Sequence, residues 1–256
     1  MKCAGLCVLL LMTLLHQLPE IENTHKVSHI LKVENYSQNK NTMKVQQILE
    51  GFLNPPLELV TETLDLEVKP LKLEVANWEK FSYLPEVSVQ IAYNENELFL
   101  QYQVNEQSVK AEVTKSNGRV WTDSCVEFFL SPEGNNEYYN LEMNCIGTAL
   151  LGFRKNGEAS VHATEEQIAT IRRISSLGNL PFAERKQQTK WQITLAIPWK
   201  VFFRHELSPV MGKKMRGNFY KCGDELSIPH FISWTKINTQ NPSFHVPEFF
   251  GGLEFE

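Results

Sequence analysis

The sequence predicts an all-β fold, an antiparallel β-sandwich of jelly-roll type with one or two short helical turns. Runs of alternating apolar and polar residues recur along the chain, while stretches of helical period are scarce. The runs are separated by Asn, Gly and Pro turns rather than by regular helices, which is the pattern of a sandwich. With 256 residues, 42% hydrophobic and 21% charged, the chain has the composition of a globular protein, and all-β domains of this length often form one unit. The 25 basic and 30 acidic residues include no long basic run. That argues against nucleic acid or an anionic membrane surface as a partner, since both require clustered Lys and Arg.

Residues 1–19 read as a signal peptide. Lys2 is followed by the uncharged run Ala4 to Leu15, too short to span a bilayer as a helix but suited to the apolar core of a secretory signal. The expected location is therefore outside the cytoplasm, secreted or at the periplasm or cell surface of a bacterium, with no membrane span. Residues 20–42 form a polar lead-in that carries the sequon Asn35-Tyr36-Ser37, and residues 43–256 form the sandwich. Val87, Val89, Ile91 and Tyr93 alternate with polar or small residues, as do Leu98, Leu100, Tyr102 and Val104. The turn from Asn94 to Glu97 joins these runs into a hairpin. Trp191, Ile193, Leu195 and Ile197 repeat the pattern. Each such strand is expected to have one buried and one wetter face. The helical turns fall at Pro198 to Phe203, where Pro suits a first position, and at Glu165 to Ile171. Cys125, Cys145 and Cys222 remain after signal removal. They are an odd, low number with no C-x-x-C spacing, and the seven His show no ligand spacing, so neither a disulfide framework nor a metal centre is predicted.

Two segments exceed what a scaffold requires. In Val120 to Gly147 the strand from Asp123 to Leu130, a turn at Pro132 to Asn136, and a strand from Glu137 to Asn144 make a second hairpin. Alternation puts Val126, Phe128, Leu130, Leu141 and Met143 on an apolar face. Glu127, Asn140, Glu142 and Asn144 stand opposite, just beyond Trp121. Cys125 and Cys145 fall on opposite faces and are not paired. The second segment, Ile232 to Glu254, carries Trp234, Phe244, His245, Phe249 and Phe250 around two prolines and could supply a wall facing Trp121. This mixture suits a sugar. The C–H face of a pyranose packs on an aromatic ring, and its hydroxyls need acceptors such as carboxylates and amides that both give and take. Trp78, Trp191 and Trp199 read as core or rim.

The pieces VWTDSCVEFF, from Val120, and FHVPEFFGGLEF, from Phe244, resemble family 9 carbohydrate-binding modules, in particular the family-9-like secreted proteins of Bacteroidetes, over roughly Leu73 to Phe255. The resemblance implies a non-catalytic β-sandwich that clamps a glycan end between two rings; a monomer is expected, and, as no attached catalytic domain is seen in the sequence, any role in polysaccharide use would be capture or accessory. It puts one ring at Trp121 and the other at Phe244, where characterised modules carry Trp, with His245 beside it. It makes Glu127 the acidic ligand residue and Asn144 a hydroxyl-binding amide. The arginine of the family pattern falls on Glu142, which is a departure. Family members often hold structural calcium, but no dense acidic loop identifies such a site in this sequence, and no other cofactor is expected.

Two other readings stay open. Glu127 and Glu142 on adjacent strands could form the carboxylate pair of a glycoside-active enzyme, since paired strand neighbours lie about 5 Å apart at Cβ. The other is a protein-interaction or haem-binding sandwich; haem would need axial ligands, and no His stands opposed to Met143.

Overall fold

The computed structural model describes residues 41–155 and 158–256. The expected signal peptide, the lead-in up to residue 40 and the Asn35 sequon lie outside the described residues. In chain order the strands are β1 (Thr42–Gln47), β2 (Leu71–Lys72), β3 (Val75–Ala76), β4 (Glu86–Tyr93), β5 (Glu97–Glu106), β6 (Val109–Ala111), β7 (Cys125–Ser131) and β8 (Tyr138–Asn144). They continue as β9 (Ala149–Arg154), β10 (Val161–His162), β11 (Arg172–Ser175), β12 (Phe182–Arg185), β13 (Thr189–Pro198), β14 (Lys214–Cys222), β15 (Phe231–Ser233) and β16 (Gly251–Phe255). The helices are α1 (Leu57–Glu67) and α2 (Glu165–Ala169).

The alternating runs form the expected hairpin. β4 and β5 pair antiparallel with Tyr93 opposite Leu98, and the Asn94 side-chain oxygen accepts from the backbone N–H of Asn96 and Glu97 to close the turn. β13 pairs along the whole of β5. Their apolar faces meet Val126, Phe128, Leu130, Leu141 and Met143 from the other sheet in one core.

One sheet runs β10-β9-β8-β7-β14-β16 and the other β4-β5-β13-β11, with β1 joining them. Residues 42–45 of β1 pair with β16 and Gln46 and Gln47 pair with β4, both in parallel. The sandwich is therefore mixed rather than strictly antiparallel. No hairpin connects β1 to either partner, so nothing forces it to run against them.

Two further expectations are corrected. The 11-residue helix α1 exceeds a short turn. It lays Val60 and Leu64 over Ala92, Phe99 and Ala196 on the outer face of the second sheet, and Gln90 Nε2 donates to the helix-end carbonyls of Leu64 and Val68. The shorter α2 begins with a capping box, Thr164 with Gln167. Nor do β7 and β8 have a wetter face, because every residue in both is buried. A layer of loops covers the outer face of the first sheet, where Cys125, Phe129, Tyr138, Leu150, Tyr220 and Cys222 pack against Trp78, Val120, Ile237, Phe244 and Phe250.

Candidate functional site

The loop layer does not close completely over the sheet. A cavity of about 520 Å³ remains between them, within the size range of small-ligand sites. Its floor is Glu127 of β7, Asn140 and Glu142 of β8, Leu150 of β9 and Cys222 of β14, and its cover includes Trp121, Phe231, Phe244 and His245. Arg154, Ser160 and Asp224 complete the wall. The alternation that sends Val126 and Phe128 inward sends Glu127 outward under this cover, and register sets Glu127 directly opposite Glu142.

Trp121 sits in the 3-10 turn Val120–Thr122 and is half-buried, with the Arg119 guanidinium 5.9 Å from its ring. Phe244 stacks on Tyr220 with centroids 4.1 Å apart, which fixes the plane of its ring. His245 stacks on Phe129, and its Nδ1 lies 3.1 Å from the Tyr138 hydroxyl. Burial, with the Arg154 charge second, pushes the His245 pKa down to about 4, so the ring is neutral at ordinary pH. Trp121, Glu127, Glu142, Phe244 and His245 thus share one cavity. Asn144 does not line it. Its Nδ2 donates to Val113 O and Asp123 Oδ2, each at 2.9 Å, and its Oδ1 accepts from Thr148 N. The two Nδ2 bonds pin the 113–123 loop that carries Trp121.

The amide on the floor is Asn140 instead. Its Nδ2 donates to Glu142 Oε1 at 2.8 Å, but its Oδ1 has no partner among the described residues, although Asn140 is 1% exposed. Arg154 Nε and Ser160 Oγ, in the same wall, are also buried and without a partner among the described residues. A buried polar atom without a partner costs about 1–3 kcal/mol, so three in one cavity mark where a polar ligand would restore hydrogen bonds. Gly152, the register partner of Asn140, keeps this wall open. A Cβ there would stand 2.6 Å from Asn140 Oδ1 and 3.0 Å from Ser160 Oγ. Alternation does group Asn140 with the two glutamates. Arg154, at the end of an otherwise apolar strand, carries no such signal.

Burial, and then the Glu142 charge, pushes the Glu127 carboxyl well above the usual carboxylate range. Burial raises Glu142 to about 7, against the Asn140 hydrogen bond and the Arg154 charge, which favour ionisation. Asp224 rises to about 6, again through burial. A carboxyl with a raised folded-state pKa stays protonated where the unfolded chain has already ionised. Stability is therefore lost as pH rises from about 4.5 toward 7. Glu142→Gln removes this penalty and keeps the acceptor for Asn140. It is expected to be more stable than the wild type at pH 8 by on the order of 2 kcal/mol, with the gap closing by pH 4, as read from urea unfolding at both pH values. An equal gap at both would contradict the assignment.

The match to the family model for carbohydrate-binding family 9 extends over residues 58–255. The chain belongs to carbohydrate-binding family 9. A crystal structure of a Bacteroides uniformis protein proposed to bind carbohydrate is 41% identical, covering 84% of this chain and 99% of that one, with a TM-score of 0.81. Two structures of a family 9 module from Caldicellulosiruptor kristjanssonii, one in complex with cellotriose and one with glucose, share the fold at 11% identity and a TM-score of 0.50. They cover 84% of this chain, and this chain covers 93% and 95% of them. No protein of curated function matches the sequence.

The sequence resemblance expects an arginine where Glu142 stands; the cavity contains one from the neighbouring strand, Arg154. Among the described residues, acidic, thiol and imidazole side chains alone do not assemble a calcium site, which also draws on backbone carbonyls. The one convergent group of three or more His, Cys, Asp or Glu side chains is Cys125, Glu127 and Cys222, and calcium takes six to eight oxygen ligands. Among the described residues no helix is long and apolar enough to cross a membrane.

Proposed function

We propose that this family 9 chain binds the end of a glycan in the cavity over the first sheet. In this reading Trp121 and Phe244 hold the faces of a sugar ring. Glu127, Glu142 and Asn140 meet its hydroxyls, and Arg154 and Ser160 take those at the wall. The observation that carries the reading is the set of buried polar atoms of Asn140, Arg154 and Ser160 that have no partner among the described residues, beside an acidic floor and an aromatic cover. A sugar offers many hydroxyls that both give and accept, together with apolar C–H faces, and so matches that lining. Asn144 enters only by holding the loop of Trp121. The protein is exported, works as a monomer, and serves polysaccharide use by capture rather than by cleavage.

The direct opposition of Glu127 and Glu142 keeps a glycosidase as the second reading, since such enzymes act through two facing carboxyls about 5–9.5 Å apart. A glycan array with the purified full chain, followed by incubation with the glycans that bind, distinguishes the two. Binding without product release, and at least tenfold weaker binding by Glu127→Gln, is the expected result. Products released by the wild type, and lost in Glu127→Gln while affinity persists, would establish the enzyme instead.

A further inference from the structure

Beneath the cavity lies a second constellation, which shares Glu127 with the glycan reading and adds two cysteines that sugar binding leaves unused. Cys125 of β7 and Cys222 of β14 are register partners on adjacent antiparallel strands. Their side chains therefore leave the sheet on the same face, and Glu127, two residues along β7, joins them there. One Sγ from each cysteine and a carboxylate oxygen of Glu127 all lie within 4.8 Å of one another, and all three residues are buried. The Cys222 thiol donates to Glu127 Oε1 at 3.1 Å. Bonds of about 2.0–2.3 Å to sulfur and oxygen around a tetrahedral zinc ion put neighbouring ligand atoms roughly 3.5 Å apart, so the three side chains need little movement to converge on one ion.

The donor set is selective. Thiolates favour zinc-class ions and disfavour calcium and magnesium. No lysine ammonium competes for the pocket between them. Lys221, next to Cys222 in sequence, points to the opposite face of the sheet and pairs with Glu106 at 2.9 Å. Access is provided as well, because Cys222 and Glu127 both line the cavity while Cys125 sits behind them. An ion reaching the three ligands would keep its remaining position facing the open space, with Asp224 in the same wall.

We infer that Cys125, Cys222 and Glu127 form a binding site for one thiophilic divalent cation of the zinc class, with a fourth coordination position open to the cavity. Binding displaces the two thiol protons and the Glu127 carboxyl proton, which leave to solvent, and involves no redox change. The fourth position takes water or a hydroxyl of whatever occupies the cavity.

Cadmium ion is the probe, read by the ultraviolet thiolate-to-cadmium absorption in the reduced, metal-stripped full chain. The absorption is expected to saturate at one ion per chain and to be reversed by zinc ion. Cys125→Ser and Cys222→Ser should abolish it, and Glu127→Gln should weaken the ion at least tenfold. Cys145→Ser should leave it intact, since Cys145 belongs to the core between the sheets. A variant that misfolds would lose the signal trivially. A second reading on the wild type guards against this, as zinc ion should raise its melting temperature. No absorption and no thermal shift in the wild type, or absorption unchanged in Cys222→Ser, would overturn the site. The titration contains no sugar, so its outcome is independent of the glycan reading.

Discussion

Replacing Trp121 by alanine is expected to weaken glycan binding by the full chain about thirtyfold, while its melting temperature changes little. The indole is half-buried on a 3-10 turn and borders the cavity, so in the unliganded protein it contributes modestly to the core. Covered by a pyranose face, it would bury most of its remaining apolar surface. Such burial stabilises by about 2 kcal/mol, which is the stated factor in affinity. The turn itself survives the change, because Asn144, Asp123 and the backbone bond from Asp224 N to Trp121 O hold it without the side chain. Titration calorimetry with the strongest glycan from the array supplies the check. Equal affinities would remove Trp121 from the site.

The largest effect on stability is expected at Lys221. Its ammonium is fully buried, 2.9 Å from Glu106 Oε2 and 2.7 Å from His230 Nε2, and donates to Cys222 O at 2.8 Å. Glu106 belongs to β5 in the opposite sheet, and its other oxygen accepts from Trp191 Nε1 at 2.7 Å. This pair therefore ties the two sheets through the core. Lys221→Ala leaves the buried Glu106 carboxylate without its cation, with only Trp191 Nε1 and the His230 ring beside it, and is expected to cost about 3–5 kcal/mol in urea unfolding. The pair itself need not be worth that much, because desolvating two charges offsets most of their attraction. Lys221→Met combined with Glu106→Gln should therefore recover most of the loss. A single Lys221→Ala within about 1 kcal/mol of wild type would show that water or another group takes over the carboxylate.

The elements the sequence disclosed share a physical character. The hairpins β4–β5 and β7–β8 are local, their period-two patterns are strong, and their turns hold Asn or Pro and Gly. α1 escaped because its apolar residues do not form one stripe. Val60 and Leu64 face the sheet, but Leu66, in the same stretch, is 85% exposed. β1 escaped because its pairing is wholly non-local. On the site side, alternation correctly gathered Glu127, Asn140 and Glu142. It could not tell that Asn144 would be consumed by Val113, Asp123 and Thr148, since those bonds depend on where a distant loop lands. The doublets Phe128-Phe129 and Tyr138-Tyr139 did carry a signal for the missed loop layer. An aromatic on each side of one strand means that both faces are covered, and Phe129 and Tyr138 indeed lie under the loops. Arg154 could be found only from coordinates.

A second groove of about 570 Å³, lined by Lys72, Leu84, Val104 and Trp191 among others, is slightly larger than the cavity over the first sheet. Its lining includes none of the buried unpartnered atoms, so volume and chemistry favour different places. Crystals of the full chain soaked with the strongest array glycan decide between them. The sugar should lie between Trp121 and Phe244, with its hydroxyls within hydrogen-bond distance of Asn140 Oδ1 and Arg154 Nε. Density for it in the Trp191 groove, with Asn140 Oδ1 still unpartnered, would contradict the account.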